Sequence, residues 1–160
     1  MTLKINLGCG INVYDGWENY DKVPVDDRVK FIDLEKLPLP FDDNSIDEIR
    51  MTNTFEHLHV NQHLFMLEIH RILKPDGFIF IRIPTWSNYV THESYWHTKS
   101  YFDSLMTVNR SGFLTGKPLF KVESVHDRKR PNLFLLISRL LSLLRDMSHQ
   151  EWDFKIRKEK

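Results

Sequence analysis

The sequence predicts an α/β fold built on a mostly parallel sheet. Leu3-Lys4-Ile5-Asn6-Leu7 alternates apolar and polar residues, then breaks into Gly8-Cys9-Gly10. Alternation with a period of two reads as a strand. Glycines directly after a strand let the backbone turn tightly and approach a ligand without a Cβ in the way. Four further strand-like segments follow, near 17–21, 29–33, 46–52 and 77–83, and two of them end in an acidic residue, Asp21 and Asp33. A helical run near 60–73 separates the fourth from the fifth, with Leu64, Leu67 and Ile69 read as inward-facing and a stop before Pro75-Asp76-Gly77. In an open α/β sheet, ligands bind at the carboxyl ends of the strands. A small-molecule or nucleotide site is therefore expected within the first dozen residues.

Later elements are read more coarsely. A helix near 99–110 precedes Gly112-Phe113, and a final helix near 138–149 places Leu140, Leu141, Leu144 and Met147 on one side. Repeats, low-complexity tracts and linkers are absent from the sequence. At 160 residues the chain reads as a single domain, 1–160, with a core of its own.

Composition narrows the function classes. Acidic and basic residues are equal in number, so no global charge draws the chain to nucleic acid. The charge is uneven: residues 1–120 hold 12 Lys+Arg against 16 Asp+Glu, and residues 121–160 hold 10 against 6. One cysteine excludes an internal disulfide framework. The start has no basic flank with an apolar run, so no secretory signal is expected. The longest apolar stretch, Leu133 to Leu144, contains Arg139 and is too short to span a bilayer. A cytoplasmic, soluble protein is the expectation.

Further pieces follow in a fixed order: Leu37-Pro38-Leu39-Pro40-Phe41-Asp42 running to Asp47, then Glu56-His57-Leu58, then Leu73-Lys74-Pro75-Asp76-Gly77. Together with Gly8-Cys9-Gly10, Asp21 and Asp33-Leu34, this ordered set resembles a class I S-adenosylmethionine-dependent methyltransferase of the small, type 11-like "methyltransferase domain" family. The resemblance covers about residues 3–84, half the chain. Leu7-Gly8-Cys9-Gly10 followed by Gly16-Trp17 and Asp21 is also similar to a compact subgroup associated with surface-polysaccharide assembly.

The resemblance implies a Rossmann-like, mostly parallel seven-stranded sheet with an antiparallel last strand. Two late strands, near 119–126 and 132–138, would form the antiparallel pair. It implies a cofactor-binding half at 1–84 and a substrate, lid and hairpin half at 85–160. The cofactor implied is S-adenosyl-L-methionine, held by Leu7, Gly8, Cys9, Gly10, Asp21, Lys22, Asp33, Leu34, Asn53 and Thr54. In this reading Gly8 and Gly10 lie against the methionine part, Asp21 accepts from the ribose hydroxyls, and Asp33 accepts the adenine amino group beside the Leu34 backbone. A carboxylate suits both tasks, having two acceptor oxygens and no competing donor.

Spacing departs from the family pattern. Ten residues separate Gly10 from Asp21, and a strand must fit inside them. Crossovers between parallel strands usually need a dozen residues or more. The segment Lys22 to Arg28 is shorter still and holds Pro24. Two connections should therefore lack their helices, leaving one sheet face with reduced cover. A parallel sheet needs both faces covered; Lys4 and Asn6, alternating with Leu3, Ile5 and Leu7, fit partial exposure of that face, and the C-terminal helix or a second subunit is expected to supply the rest of its cover. Asn6 stands where the family usually has an acidic residue, and Asn12 takes the third small position, where Asn's tolerance of a left-handed backbone lets the turn survive.

Three histidines are candidate catalytic residues: His57, His92 and His97. His57 serves either as a general base or as a corner residue, and the second reading is favoured. Pro84 to His97 is aromatic and polar, and Trp86, Tyr89 and Trp96 suit stacking on a sugar or planar ring. His92 or His97 there would take a proton from a hydroxyl acceptor or sit satisfied within a lid. His97 followed by Phe102 favours structure for His97. No metal is expected, because the histidines at 57, 59, 63, 92 and 97 lack an Asp or Glu at ligand spacing. Cys9 reads as a space-filler rather than a nucleophile.

The implied reaction is methyl transfer to a small-molecule or glycan-like acceptor, with oxygen as the expected methylated atom. A non-catalytic or partner-dependent cofactor-binding module is the competing class. A nicotinamide dehydrogenase is disfavoured by Val13 where a third glycine should stand and by the closeness of Asp21. Arg128-Lys129-Arg130 ahead of the apolar stretch is a candidate for weak contact with an anionic membrane surface, read against a plain strand and packing helix. Homo-oligomerisation is the other partner expectation.

Overall fold

The computed structural model describes residues 2–84, 120–129 and 150–158. Seven strands run β1 Lys4–Leu7, β2 Glu18–Asp21, β3 Val29–Phe31, β4 Ile46–Thr52, β5 Leu73–Pro84, β6 Phe120–Lys129 and β7 Gln150–Lys158. They form one sheet in the order β3-β2-β1-β4-β5-β7-β6. The first five are parallel, and β7 is antiparallel to both β5 and β6. This is the expected sheet, with one correction. The partner of β6 is Gln150–Lys158, not 132–138, which lies outside the described residues, as do the helices expected near 99–110 and 138–149. Trp152, Phe154 and Ile156 alternate with charged residues, and that period-2 pattern pairs with Ile79, Ile81 and Ile83 of β5.

One face of the sheet is apolar. Ile5 and Leu7 align with Ile49 and Met51, which align with Ile79 and Ile81, which align with Ile156 and Phe154. All are fully buried. The helix α1, Gln62–Ile72, covers this face with Phe65, Met66, Ile69 and Ile72. Asn61 caps it, its side chain accepting from the His63 and Leu64 N–H groups. That start turns Leu64 to solvent, 53 % exposed, contrary to its expected inward position. Glu68 and Arg71 on α1 hold the 37–43 loop: Glu68 Oε1 accepts from Leu39 N–H at 2.7 Å, and Arg71 donates to the Leu39 and Phe41 carbonyls.

Lys74-Pro75-Asp76-Gly77 is not the lead-in to β5 but an irregularity within it. The pairing with β4 shifts register there, and a Cβ on Gly77 would press on the Lys74 carbonyl at 2.9 Å.

The opposite face carries charge and aromatic rings, and the β1–β2 and β2–β3 connections lack helices as expected. Lys4 pairs with Glu48 at 2.9 Å, and Arg82 pairs with Asp153 at 2.7 Å. Between them the Arg50 guanidinium lies 5.0 Å from the Tyr14 ring, 5.6 Å from Trp17 and 4.8 Å from Phe80. Tyr14 and Trp17 come from the β1–β2 loop, so the loop itself covers part of the face the missing helix would cover. Cations over aromatic rings gain up to about 2 kcal/mol when desolvated.

Two buried asparagines fold that loop back. The Asn6 amide donates to Asn19 Oδ1 at 3.0 Å and to the Asn12 carbonyl at 2.9 Å. Asn19 Oδ1 also accepts from Tyr14 N–H, and its amide donates to the Tyr14 and Trp17 carbonyls. The Asn19 side chain is thereby fully satisfied. Asn12 does not take the left-handed conformation; Gly8 and Gly10 do, and Asn12 serves through its carbonyl. Asn19→Ala strands two donors and two acceptors in or near the interior, each costing about 1–3 kcal/mol if unpaired. Urea unfolding of this variant should show a loss of about 2–4 kcal/mol. A loss below about 0.5 kcal/mol would mean water replaces the amide freely.

Candidate functional site

The carboxyl ends of β1 to β4 surround an open cleft of about 460 Å³. Its first wall is the turn after β1. Gly8 N–H and Cys9 N–H both donate to the Tyr20 carbonyl, tying the turn to β2. Gly8 has φ +66°, and a Cβ there would overlap the Thr54 side chain. Thr54 Oγ1 lies 3.0 Å from the Gly8 carbonyl, so the turn after β1 and the turn after β4 touch directly. Glycine is required by both the conformation and the close approach.

Asp21 ends β2 and faces the cleft. Its Oδ2 accepts from Gly10 N–H at 2.8 Å and its Oδ1 from Val23 N–H at 2.9 Å. Each oxygen keeps a lone pair, so the carboxylate anchors two turns and still has capacity for ligand hydroxyls. Asp33 and Leu34 lie just beyond β3, with Ile32 beside them. Leu34 is buried in the core while also lining the cleft.

The third wall follows β4. Asn53 has φ +50°, a conformation that costs a non-glycine residue energy and aims its side chain off the strand line. Its amide donates to Glu151 of β7 at 3.4 Å. A single 3₁₀ turn, Phe55–His57, follows, and His57 and Leu58 line the cleft.

Of the residues expected to hold the cofactor, the structure brings Gly8, Gly10, Asp21, Lys22, Asp33, Leu34, Asn53 and Thr54 to this cleft. Leu7 and Cys9 point elsewhere: Leu7 is in the core and Cys9 is 4 % exposed. Burial, with the charge of Asp21 adding, pushes the Cys9 thiol up, which keeps it neutral. His57 is at the wall, whereas His92, His97 and the aromatic segment around them lie outside the described residues. Glu35, Leu58 and His59 line the cleft without having been expected there. Their adjacency to Asp33-Leu34 and to His57 was the available signal. Among the described residues no cluster of His, Cys, Asp and Glu is arranged to hold a metal. No helix among them is long and apolar enough to cross a membrane.

Residues 8–81 match the model of a protein family described as a methyltransferase domain. Residues 8–81 carry an S-adenosylmethionine-dependent methyltransferase domain. No curated protein matches its sequence. Solved structures share its fold. One is an S-adenosylmethionine-dependent methyltransferase from Mesorhizobium loti, 15 % identical over 97 % of this chain and 90 % of that one, with a TM-score of 0.61. Another is a chain in the complex of the Haloferax volcanii Trm112 methyltransferase activator, 14 % identical over 99 % and 83 %, at 0.67. A third is the [4+2]-cyclase SpnF, 12 % identical over 98 % and 74 %, at 0.62.

The cleft fits S-adenosylmethionine on two counts: a volume in the range of small-ligand sites, and carboxylates at the ends of β2 and β3.

Glu56 stands behind this wall, fully buried. Burial above all, with Glu151's charge adding, pushes its carboxyl up from 4.5 to about 7. The fold therefore holds the proton more tightly than the unfolded chain does. Stability from this group is complete below about pH 4.5 and falls as the pH rises through about 7, by up to roughly 3 kcal/mol. Glu56→Gln should flatten that decline when urea midpoints are compared at pH 5 and pH 8. An unchanged slope would place the titration elsewhere.

Proposed function

We propose that this chain methylates a small-molecule or glycan-like acceptor at a hydroxyl oxygen, as a cytoplasmic single domain with its cofactor half at 1–84 and its acceptor half at 85–160. The observation that carries the reading is the cleft itself, where Gly8, Asp21 and Asp33 stand at the ends of three adjacent parallel strands. S-adenosylmethionine supplies an electrophilic methyl group when bound. Gly8 and Gly10 would lie along its methionine part, Asp21 would accept from the ribose hydroxyls, and Asp33 with the Leu34 backbone would bind adenine. Such sites work largely by holding two reactants in line, and the turn from Asn53 to His57 meets the 85–160 half where the Asn53 amide donates to Glu151. Cys9, the sole cysteine, is a buried free thiol, which suits a reducing compartment. The compact subgroup resemblance supports a role in surface-polysaccharide assembly, and the balanced charge argues against nucleic acid as acceptor.

A cofactor-binding module that needs a partner is the second reading. It draws on the structural neighbour solved with an activator protein, and on the [4+2]-cyclase SpnF, which shares the fold.

Incubation with methyl-labelled S-adenosylmethionine and a panel of sugar, nucleotide-sugar and lipid-linked glycan hydroxyl acceptors tests the reading. The expected product is a methyl ether that survives mild alkali. His57→Gln should change its rate by less than about fivefold, as for a wall residue; a fall near a hundredfold with a lost limb of the pH–rate profile would make His57 the base. Label on nitrogen or in an alkali-labile ester would overturn the oxygen assignment. Cofactor binding with no turnover on any acceptor would favour the partner-dependent module.

A further inference from the structure

Glu35 ties together three chain segments around the cleft. Its Oε1 accepts from His59 N–H at 3.0 Å and lies 2.7 Å from His59 Nδ1. Its Oε2 lies 3.4 Å from Lys22 Nζ. The same Lys22 Nζ lies 3.4 Å from Asp33 Oδ1, so one ammonium is shared between two carboxylates. Asp33 also takes the Glu35 N–H on Oδ1 at 3.2 Å and has Lys36 at 3.7 Å from Oδ2. All of this sits at the rim of the cleft where adenine is assigned, and the inference rests on that assignment of Asp33.

The arrangement has a chemical consequence. A carboxylate that must accept from a neutral amino group does so best when no cation monopolises it. Glu35 draws Lys22 halfway off Asp33. Without its charge, Asp33 becomes the lone carboxylate for Lys22, and the ammonium moves onto the oxygen that should meet the base. His59, held on the other oxygen of Glu35, keeps that carboxylate in place: its two contacts hold Glu35 ionised, with its carboxyl lowered to about 2.

We infer that Glu35 is a specificity-determining residue, which keeps Asp33 free to select a 6-amino purine by holding Lys22 between the two carboxylates. It acts through Lys22 and Asp33, as a positioning residue. The selection it protects is adenine over a base carrying oxygen at position 6, where carboxylate and carbonyl oxygen repel.

The test is a calorimetric comparison of S-adenosylhomocysteine with S-inosylhomocysteine, in which oxygen replaces the 6-amino group. Wild type should prefer the adenine compound by about tenfold or more, the scale of one hydrogen bond to a charged group. Glu35→Gln keeps shape and removes charge, and should cut that preference several-fold with little change in melting temperature. Lys22→Met/Glu35→Gln should restore it, which a merely structural loss would not do. Lys22→Met alone alters a residue that lines the cleft, so it is read on the ratio and not on affinity: the ratio should hold or rise, and a fall there overturns the proposal even if Glu35→Gln fails to fold. An unchanged ratio in Glu35→Gln, or no restoration in the double variant, also overturns it. Asp33→Asn separates the two readings: if it leaves the ratio at the wild-type value, the adenine assignment of Asp33 fails, whereas a drop there with none in Glu35→Gln removes only the role of Glu35.

Discussion

The buried amide pair Asn6–Asn19 is the constraint on which the cleft depends. A parallel crossover normally satisfies its backbone with a helix. The β1–β2 connection has none, and its polar groups must find partners among side chains. Asn19 supplies three of those bonds, to Tyr14 N–H and to the Tyr14 and Trp17 carbonyls, and is held by Asn6 on the neighbouring strand. This folds the loop onto the sheet and leaves the Gly8 and Gly10 turn at the carboxyl edge. The asparagine at position 6, read as the loss of a family acidic residue near the cofactor, is instead the staple that lets a shortened connection work.

That same folding covers the second face of the sheet. Tyr14 and Trp17 are brought against Arg50, and Phe80 meets it from β5. Helix α1 packs on one side, and on the other a layer of cations and rings stands where the first two crossover helices would be. The expectation of a partly polar face is met among the described residues. The cover expected from 138–149 or from a second subunit falls outside them.

Much of the fold was readable because its signals are local. The five parallel strands followed from alternation, and the ends at Gly8, Asp21 and Asp33 from residues that stop a strand or suit a ligand. What was missed depends on pairing between distant segments. Trp152, Phe154 and Ile156 alternate plainly, but the nearer apolar run after Arg130 competed for the same role, and only pairing with β5 decides it. Apolar spacing alone puts Leu64 inward; the cap at Asn61 sets the phase of the helix and turns it to solvent. Glu35 and His59 are far apart in sequence and meet only when the turns after β3 and β4 are side by side. The Asn6–Asn19 bond needs the β1–β2 register, which no single strand reveals.

The central claim is that the cleft at the ends of β1 to β4 binds S-adenosylmethionine through the Gly8 turn. Calorimetric titration of the purified protein with S-adenosylhomocysteine, beside Gly8→Ala, tests it most directly. The account predicts micromolar binding by wild type and at least a tenfold loss in the variant, whose Cβ must overlap Thr54. Folded wild-type protein that takes up no cofactor, or a Gly8→Ala variant that binds as tightly as wild type, would contradict it.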